Sequence, residues 1–138
     1  MRTDHPLTLG TAGHIDHGKT ALVAALEATL ELYRDPPAAV RAVPVLRMVA
    51  EPAEDVRARA EGLAARLGGT VVETVARVGG GALPLLELPS FACALEGGDA
   101  LAARLRELDP PVVARVREGR VLLDCRTLTA AECELITL

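Results

Sequence analysis

The chain has 138 residues, enough for one domain or one domain with an appendage, and folding at this length buries roughly 68–70% of the unfolded surface. Half of it is hydrophobic, yet it holds one Tyr, one Phe and no Trp, so its core must be built of Ala, Val and Leu, and base stacking on aromatic platforms is excluded. The net charge is −4, with fourteen arginines spread along the chain and a single lysine, Lys19, which leaves no basic tract for independent nucleic-acid binding.

Leu7-Thr8-Leu9 fits a short strand, and Gly13-His14-Ile15-Asp16-His17-Gly18-Lys19-Thr20 follows as an unbroken G-x-x-x-x-G-K-[ST] phosphate-binding loop. In such a loop the glycines let consecutive N–H groups close around a phosphate, the lysine adds a point charge and the Thr hydroxyl can ligate Mg²⁺. Ala21 onward reads as helix, supplying the strand–loop–helix setting in which a helix N-terminus faces the anion. Leu22, Leu26, Leu30 and Tyr33 recur at helical spacing and form a stripe that can face a partner, until Asp35-Pro36-Pro37 stops the helix. Over residues 38 to 50, Val40, Val43, Leu46 and Val49 fit a helical stripe that Pro44 interrupts, so two short helical turns are preferred to a strand.

Glu51-Pro52 opens the clearest helix, with Glu54 and Asp55 in its first turn and Gly68-Gly69 at its end; Ala53, Val56, Ala60, Leu63 and Leu67 form its buried stripe. Residues 70 to 78 are rich in Val and Thr and read as a strand. Gly79-Gly80-Gly81 then serves as a bend or close approach rather than a second anion cradle, leading to a loop over 84 to 89 and a strand over 90 to 95. Gly97-Gly98-Asp99 caps a short helix lined by Leu101, Ala102, Leu105 and Leu108 and ended by Pro110-Pro111. Residues 112 to 117 and 120 to 128 flank Glu118-Gly119 as a hairpin, and 129 to 138 close the chain as a helix with Thr129 and Glu132 in a capping box. From Pro52 on, this order predicts an α+β fold of two layers: a small, mostly antiparallel sheet with helices on one face.

Cys93, Cys125 and Cys133 are odd in number and lack C-x-x-C spacing, as expected of reduced thiols in a cytoplasmic protein; for Cys93 and Cys125 a buried small hydrophobe is the favoured reading over catalysis or metal binding. No apolar run has the length of a membrane span, and Met1 to Leu9 lacks the apolar region of a secretion signal. Lys19 is the only lysine available for Schiff-base chemistry. The rest of a nucleotide-binding domain is not evident: no D-x-x-G follows the loop, and a chain without asparagine cannot contain N-K-x-D.

Two resemblances follow from these segments. Leu7 to Val23, LTLGTAGHIDHGKTALV, resembles the opening of the translational GTPases, in particular the selenocysteine-specific elongation factor. That likeness implies GTP and Mg²⁺ as ligands, with Gly13, Asp16, His17, Gly18, Lys19 and Thr20 at the phosphates and Thr20 on the metal; His14 and His17 are then ordinary loop residues. Residues 24 to 138 instead resemble the C-terminal part of bacterial selenocysteine synthase, L-seryl-tRNA(Sec) selenium transferase. The likeness rests on AALEATLELYRDP, VPVLRM, RARAEGLAARLG, VGGGALP, LPS and DPPVVARVREGRVLLDCRTL. It implies the small C-terminal domain of an aminotransferase-like, fold type I pyridoxal-phosphate enzyme that converts seryl-tRNA(Sec) to selenocysteyl-tRNA(Sec) using selenophosphate.

The family's cofactor lysine belongs to a large domain upstream of these segments, and the phosphate loop replaces the basic stretch that precedes the A-A-L-E helix in that family. No catalytic residue carries over. The expected organisation is therefore an elongation-factor-like segment, 1–23, joined near Ala21 to Ala25 to a selenocysteine-synthase-like domain, 24–138, as in a rearranged pair of neighbouring genes. The leading functional expectation is a truncated or chimeric selenium transferase. It would be inactive alone and able to associate with full-length subunits of a homo-oligomeric enzyme, meeting tRNA(Sec) through them and no membrane. A GTP-binding fragment and a stand-alone interaction domain are the alternatives.

Overall fold

The computed structural model describes the backbone of residues 16–79 and 85–138, with side chains from Thr20 onward within those ranges. The chain divides into two units, Met1–Leu46 and Arg47–Leu138. In the first, α1 spans Asp16–Leu32, so the helix begins inside the phosphate-loop motif rather than at Ala21. Arg34 pairs with Glu31 at its exposed end. The Leu22, Leu26, Leu30 and Tyr33 stripe is solvent-exposed, at 38–64% for the three leucines. Asp35 then caps α2 (Pro36–Ala42) by accepting the Ala38 N–H at 3.3 Å. Pro36 and Pro37 occupy the first helical positions, where a missing N–H costs nothing, so the residues that stop one helix start the next. Pro44 likewise opens α3 (Pro44–Ala50), giving the two short helices the sequence indicates.

The second unit is built on α4 (Ala53–Leu67), which buries Val56, Ala60, Leu63 and also Ala64, while Ala53 and Leu67 are half-buried. Gly68, at φ +70°, turns the chain out of the helix, its N–H reaching the Ala64 carbonyl. Gly69 has a different constraint. A Cβ there would stand 2.8 Å from the Ala94 carbonyl oxygen and 2.8 Å from Cys93 Sγ, so only glycine admits the close approach of α4's end to the sheet.

The sheet has four antiparallel strands in the order β1 (Thr70–Arg77), β2 (Glu87–Glu96), β4 (Arg120–Asp124), β3 (Arg115–Arg117). Helices α4, α5 (Gly98–Arg106) and α6 (Ala130–Leu135) pack on one face of this sheet against Cys93, Leu95, Val121 and Leu123. The opposite face carries a smaller cluster of Ala92, Ala94 and Leu122. The α+β class and the one-sided helical layer expected from the sequence are both present.

Several details differ from the sequence reading; α6 for one ends at Leu135 and not Leu138, since Ile136 is extended and its N–H closes the helix on the Cys133 carbonyl. β2 starts at Glu87 and not at Ser90; Pro89 is tolerated because β4 pairs with β2 only from Ala92 on, so no strand needs a hydrogen bond from position 89 on that side. β3 is shorter than 112–117, since the Val112 N–H is used by the Leu105 carbonyl (2.9 Å) to close α5. β4 ends at Asp124 rather than Leu128, because the Asp124 carbonyl accepts both the N–H and the hydroxyl of Thr127, bending the chain. Asp99 forms no side-chain cap on α5, whose cap is Gly97. The hairpin turn is as expected, with φ +53° at Glu118 and +76° at Gly119, the pair of positive angles a tight two-residue turn requires. Gly79 is described, but Gly80 and Gly81 lie outside the described residues, as does the 7–9 strand.

Three arginines tie the C-terminal stretch to this layer. Arg59 donates to the carbonyls of Cys125 (2.8 Å) and Leu128 (2.6 Å) and pairs with Glu51. Arg66 donates to Glu134 and Ile136 and also to Cys133 at the end of α6. Arg126, 4% exposed, donates to Met48 and Glu51 (both 2.8 Å) and to Pro89 (2.5 Å). The Arg126→Met variant keeps the stem and removes every one of these donors from the Met48, Glu51 and Pro89 carbonyls. It is expected to lose about 3 kcal/mol of stability in urea unfolding at unchanged slope, and a loss under about 1 kcal/mol would show that the carbonyls find other donors.

Candidate functional site

Gly13 lies outside the described residues, as do the side chains of Asp16, His17 and Lys19. The backbone of 16 to 19 is helical, within α1. Thr20 is exposed on the next position. Among the described residues, no group of three or more His, Cys, Asp or Glu side chains is placed to hold a metal ion.

The second unit carries a cavity of about 380 Å³ on the helix-free side of the sheet, lined by Val75, Arg77, Val113, Arg115, Leu122 and Asp124 among others. Its polar chemistry is closed on itself. Ser90, 1% exposed, donates its hydroxyl to Asp124 at 2.6 Å, and Arg115 donates to the other Asp124 oxygen and to Thr74, both at 3.0 Å. Asp124 also accepts the Arg126 N–H at 3.2 Å. Ser90 is thus a donor to a carboxylate already shared with a guanidinium. The arrangement locks the registers of β1, β2, β4 and the turn after β4 to each other.

Cofactor chemistry fails the same test. Pyridoxal phosphate needs an amine for its covalent attachment, and the cavity has no lysine; the chain's only lysine is Lys19, in the other unit. The residues present do not fit the cofactor that the resemblance implies.

The thiols are structural in placement: Cys93, Cys125 and Cys133 are all buried in the main core. Burial, reinforced by the neighbouring Cys133, pushes the Cys93 pKa up to about 11. Cys125 donates its S–H to the Leu123 carbonyl at 3.6 Å, and the adjacent Cys133 thiol together with burial raises the Cys125 pKa further. The neighbouring Cys125 thiol lowers Cys133, against its own burial, and Arg59 and Arg66 add to the effect. Sequence placed Cys93 and Cys125 as buried hydrophobes but gave no sign that Cys133 joins them, because only the return of α6 across α4 brings it there. Iodoacetamide at pH 8 is expected to modify Cys93 on the order of a hundredfold more slowly than a free thiol, a difference lost in denaturant. Mass spectrometry of the labelled peptides reads this directly, and equal native rates would overturn the assignment.

The comparisons with known proteins agree with one another. Residues 13–129 match the family SelA, L-seryl-tRNA selenium transferase, so the match starts at Gly13, ahead of Ala24 where the quoted likeness begins. L-seryl-tRNA(Sec) selenium transferase of Moorella thermoacetica is 44% identical over 144 residues, covering 94% of this chain and 29% of that protein. The proteins of the same name from Geobacter sulfurreducens and Hyphomonas neptunium are 45% and 46% identical over 77% of this chain, and 26% and 25% of their own lengths. The chain therefore spans between a quarter and three-tenths of the length of these relatives. A match from residue 13 to residue 129 covers most of the chain, and on that ground the chain belongs to the L-seryl-tRNA selenium transferase family.

Proposed function

We propose that this chain is the small C-terminal α+β domain of an aminotransferase-like selenium transferase, a truncated or chimeric form that does not carry out the reaction alone. It serves selenocysteine biosynthesis in the cytoplasm by associating with full-length subunits, and meets tRNA(Sec) through them. The observation that carries this reading is the contrast between coverage of the chain, 94%, and of the relative, 29%, in an alignment at 44% identity. The fold supports it: the described residues of the second unit form a stapled two-layer domain whose cavity holds no amine for pyridoxal phosphate. Among the described residues no helix is long and apolar enough to cross a membrane. Pyridoxal phosphate added to the isolated chain is expected to give no lysine-dependent absorbance band, and native mass spectrometry with a full-length relative is expected to show mixed assemblies. A cofactor band that disappears in Lys19→Ala would refute the first half of this reading, and absence of any mixed species the second.

A second reading rests on the motif itself. Residues 1–23 would be an elongation-factor-like segment in which Gly13, Asp16, His17, Gly18, Lys19 and Thr20 hold GTP and Thr20 its Mg²⁺. Its support is the unbroken motif. Titration calorimetry with GTP and Mg²⁺ decides between them: the first reading expects no micromolar binding. A micromolar Kd abolished by Lys19→Ala would put the second in its place.

A further inference from the structure

The sheet has two edges, and they differ. β3 is three residues long and carries Arg115 and Arg117, the short, charged edge that resists pairing with another strand. β1 is eight residues long, TVVETVAR, with no proline, no lysine and no bulge in its register with β2 from Thr70–Ala94 to Arg77–Glu87. Its two exposed charges, Glu73 and Arg77, are of opposite sign, so unlike the two arginines of β3 they do not oppose a second copy of the strand.

The direction of its backbone groups follows from β2. The Phe91 carbonyl accepts the Cys125 N–H at 2.9 Å, and the Pro89 carbonyl accepts Arg126, so both carbonyls point away from β1. Alternation along β2 then turns Leu88, Ser90, Ala92 and Ala94 toward β1. Their partners are Ala76, Thr74, Val72 and Thr70. The intervening residues of β1, Val71, Glu73, Val75 and Arg77, consequently aim their N–H and C=O groups off the edge of the sheet. β1 also has no hydrogen-bonded strand on that side among the described residues.

The side chains of these same residues select a partner. Glu73, Val75 and Arg77 are all exposed and project from one face. Glu73 has no ion-pair partner among the described residues, whereas Arg77 pairs with Glu87 across the β1–β2 ladder. When two copies of β1 lie antiparallel about a two-fold axis through Val75, Glu73 of each copy falls opposite Arg77 of the other. Arg77 then sits between Glu87 of its own chain and Glu73 of the second. An axis through Glu73 would instead set Glu73 against itself, and an axis through Thr74 would set both charges opposite valines, so the charges favour one register. A C2 contact of this kind is closed and does not propagate.

We propose that β1 is a self-complementary pairing edge through which two copies of this chain join antiparallel about Val75, making one continuous eight-stranded sheet with reciprocal Glu73–Arg77 pairs. The contact is narrow, so the association is weak and concentration-dependent.

Sedimentation velocity of the full chain over a concentration series is expected to show a monomer–dimer equilibrium. Hydrogen exchange at Val71, Glu73, Val75 and Arg77 should slow as dimer forms. Glu73→Arg and Arg77→Glu, each placing like charges in register, should weaken the dimer on the order of tenfold or more. The double reversal, Glu73→Arg with Arg77→Glu, should restore it, and a cooperative thermal unfolding transition retained by each variant would show that it remains folded, Arg77→Glu shifting it only by the lost Glu87 pair. A chain that stays monomeric at several hundred micromolar overturns the proposal. A dimer indifferent to the single reversals does so as well, because association through another surface, such as the exposed leucines of α1, would give that result.

Discussion

The second unit depends on guanidinium groups bonded to backbone carbonyls. Arg59 and Arg66 stand two turns apart on α4, and between them they hold both ends of the segment that turns out of β4 and closes as α6. Arg126 works from the opposite direction, inserting from that segment into carbonyls at the end of α3 and in β2. A guanidinium suits this task because its planar fork offers several donors at once and keeps its charge when buried. The orphan carbonyls left by a bent strand end and a short helix would otherwise be buried unpaired. Among the described residues no carboxylate pairs with the Arg126 side chain; its NH1 and NH2 groups donate to backbone carbonyls and its Nε has no acceptor.

This solution follows from composition. A core without Trp, with Phe91 half-buried beneath Arg57, cannot bring distant segments together through large rings. Ala60, Ala64, Ala102 and the thiols give close packing but little area per residue, so helices must approach the sheet nearly to backbone contact. Gly69 shows how near, since even a methyl group would collide with the Ala94 carbonyl. At such separations carbonyls from different elements come within reach of one arginine. Small core residues and multidentate arginines are therefore two parts of a single arrangement.

The sequence makes the elements legible where the signal is local. The α4 stripe, the Gly68 stop, the Glu118-Gly119 turn and the Thr129–Glu132 capping box are each fixed by residues within one or two turns of one another, and each is found. What escaped reading depends on partners far along the chain. The roles of Arg59, Arg66 and Arg126 are not legible in the sequence, because most of their carbonyl acceptors lie more than sixty residues away. The overlong β4 is the same error: nothing in LLDCRTL shows that Asp124 turns its carbonyl to Thr127 and its carboxylate to Ser90 and Arg115. The one available hint was an arginine between Cys125 and Leu128 in an otherwise apolar run, a place where an unpaired charge would be prohibitive.

The same distinction between local pattern and tertiary setting governs the candidate site. A phosphate loop is a local motif, complete in Gly13 to Thr20, but its chemistry is tertiary: a sheet must fix the loop, and separate strands must bring the metal's aspartate and the base-reading element to it. The described part of this chain devotes its sheet to another purpose. Its four strands are antiparallel, its helices share one face, and the carboxylate on the free face, Asp124, is consumed in holding strands together. A doubly wound sheet sets its strand ends toward one crevice, whereas antiparallel order sends alternate ends to opposite sides and leaves no common rim where a loop, a metal ligand and a base could converge. Family membership carries the argument further than the motif does, because matches distributed from residue 13 to residue 129 constrain an entire layer of packing, while eight consecutive residues constrain only a turn and the start of one helix.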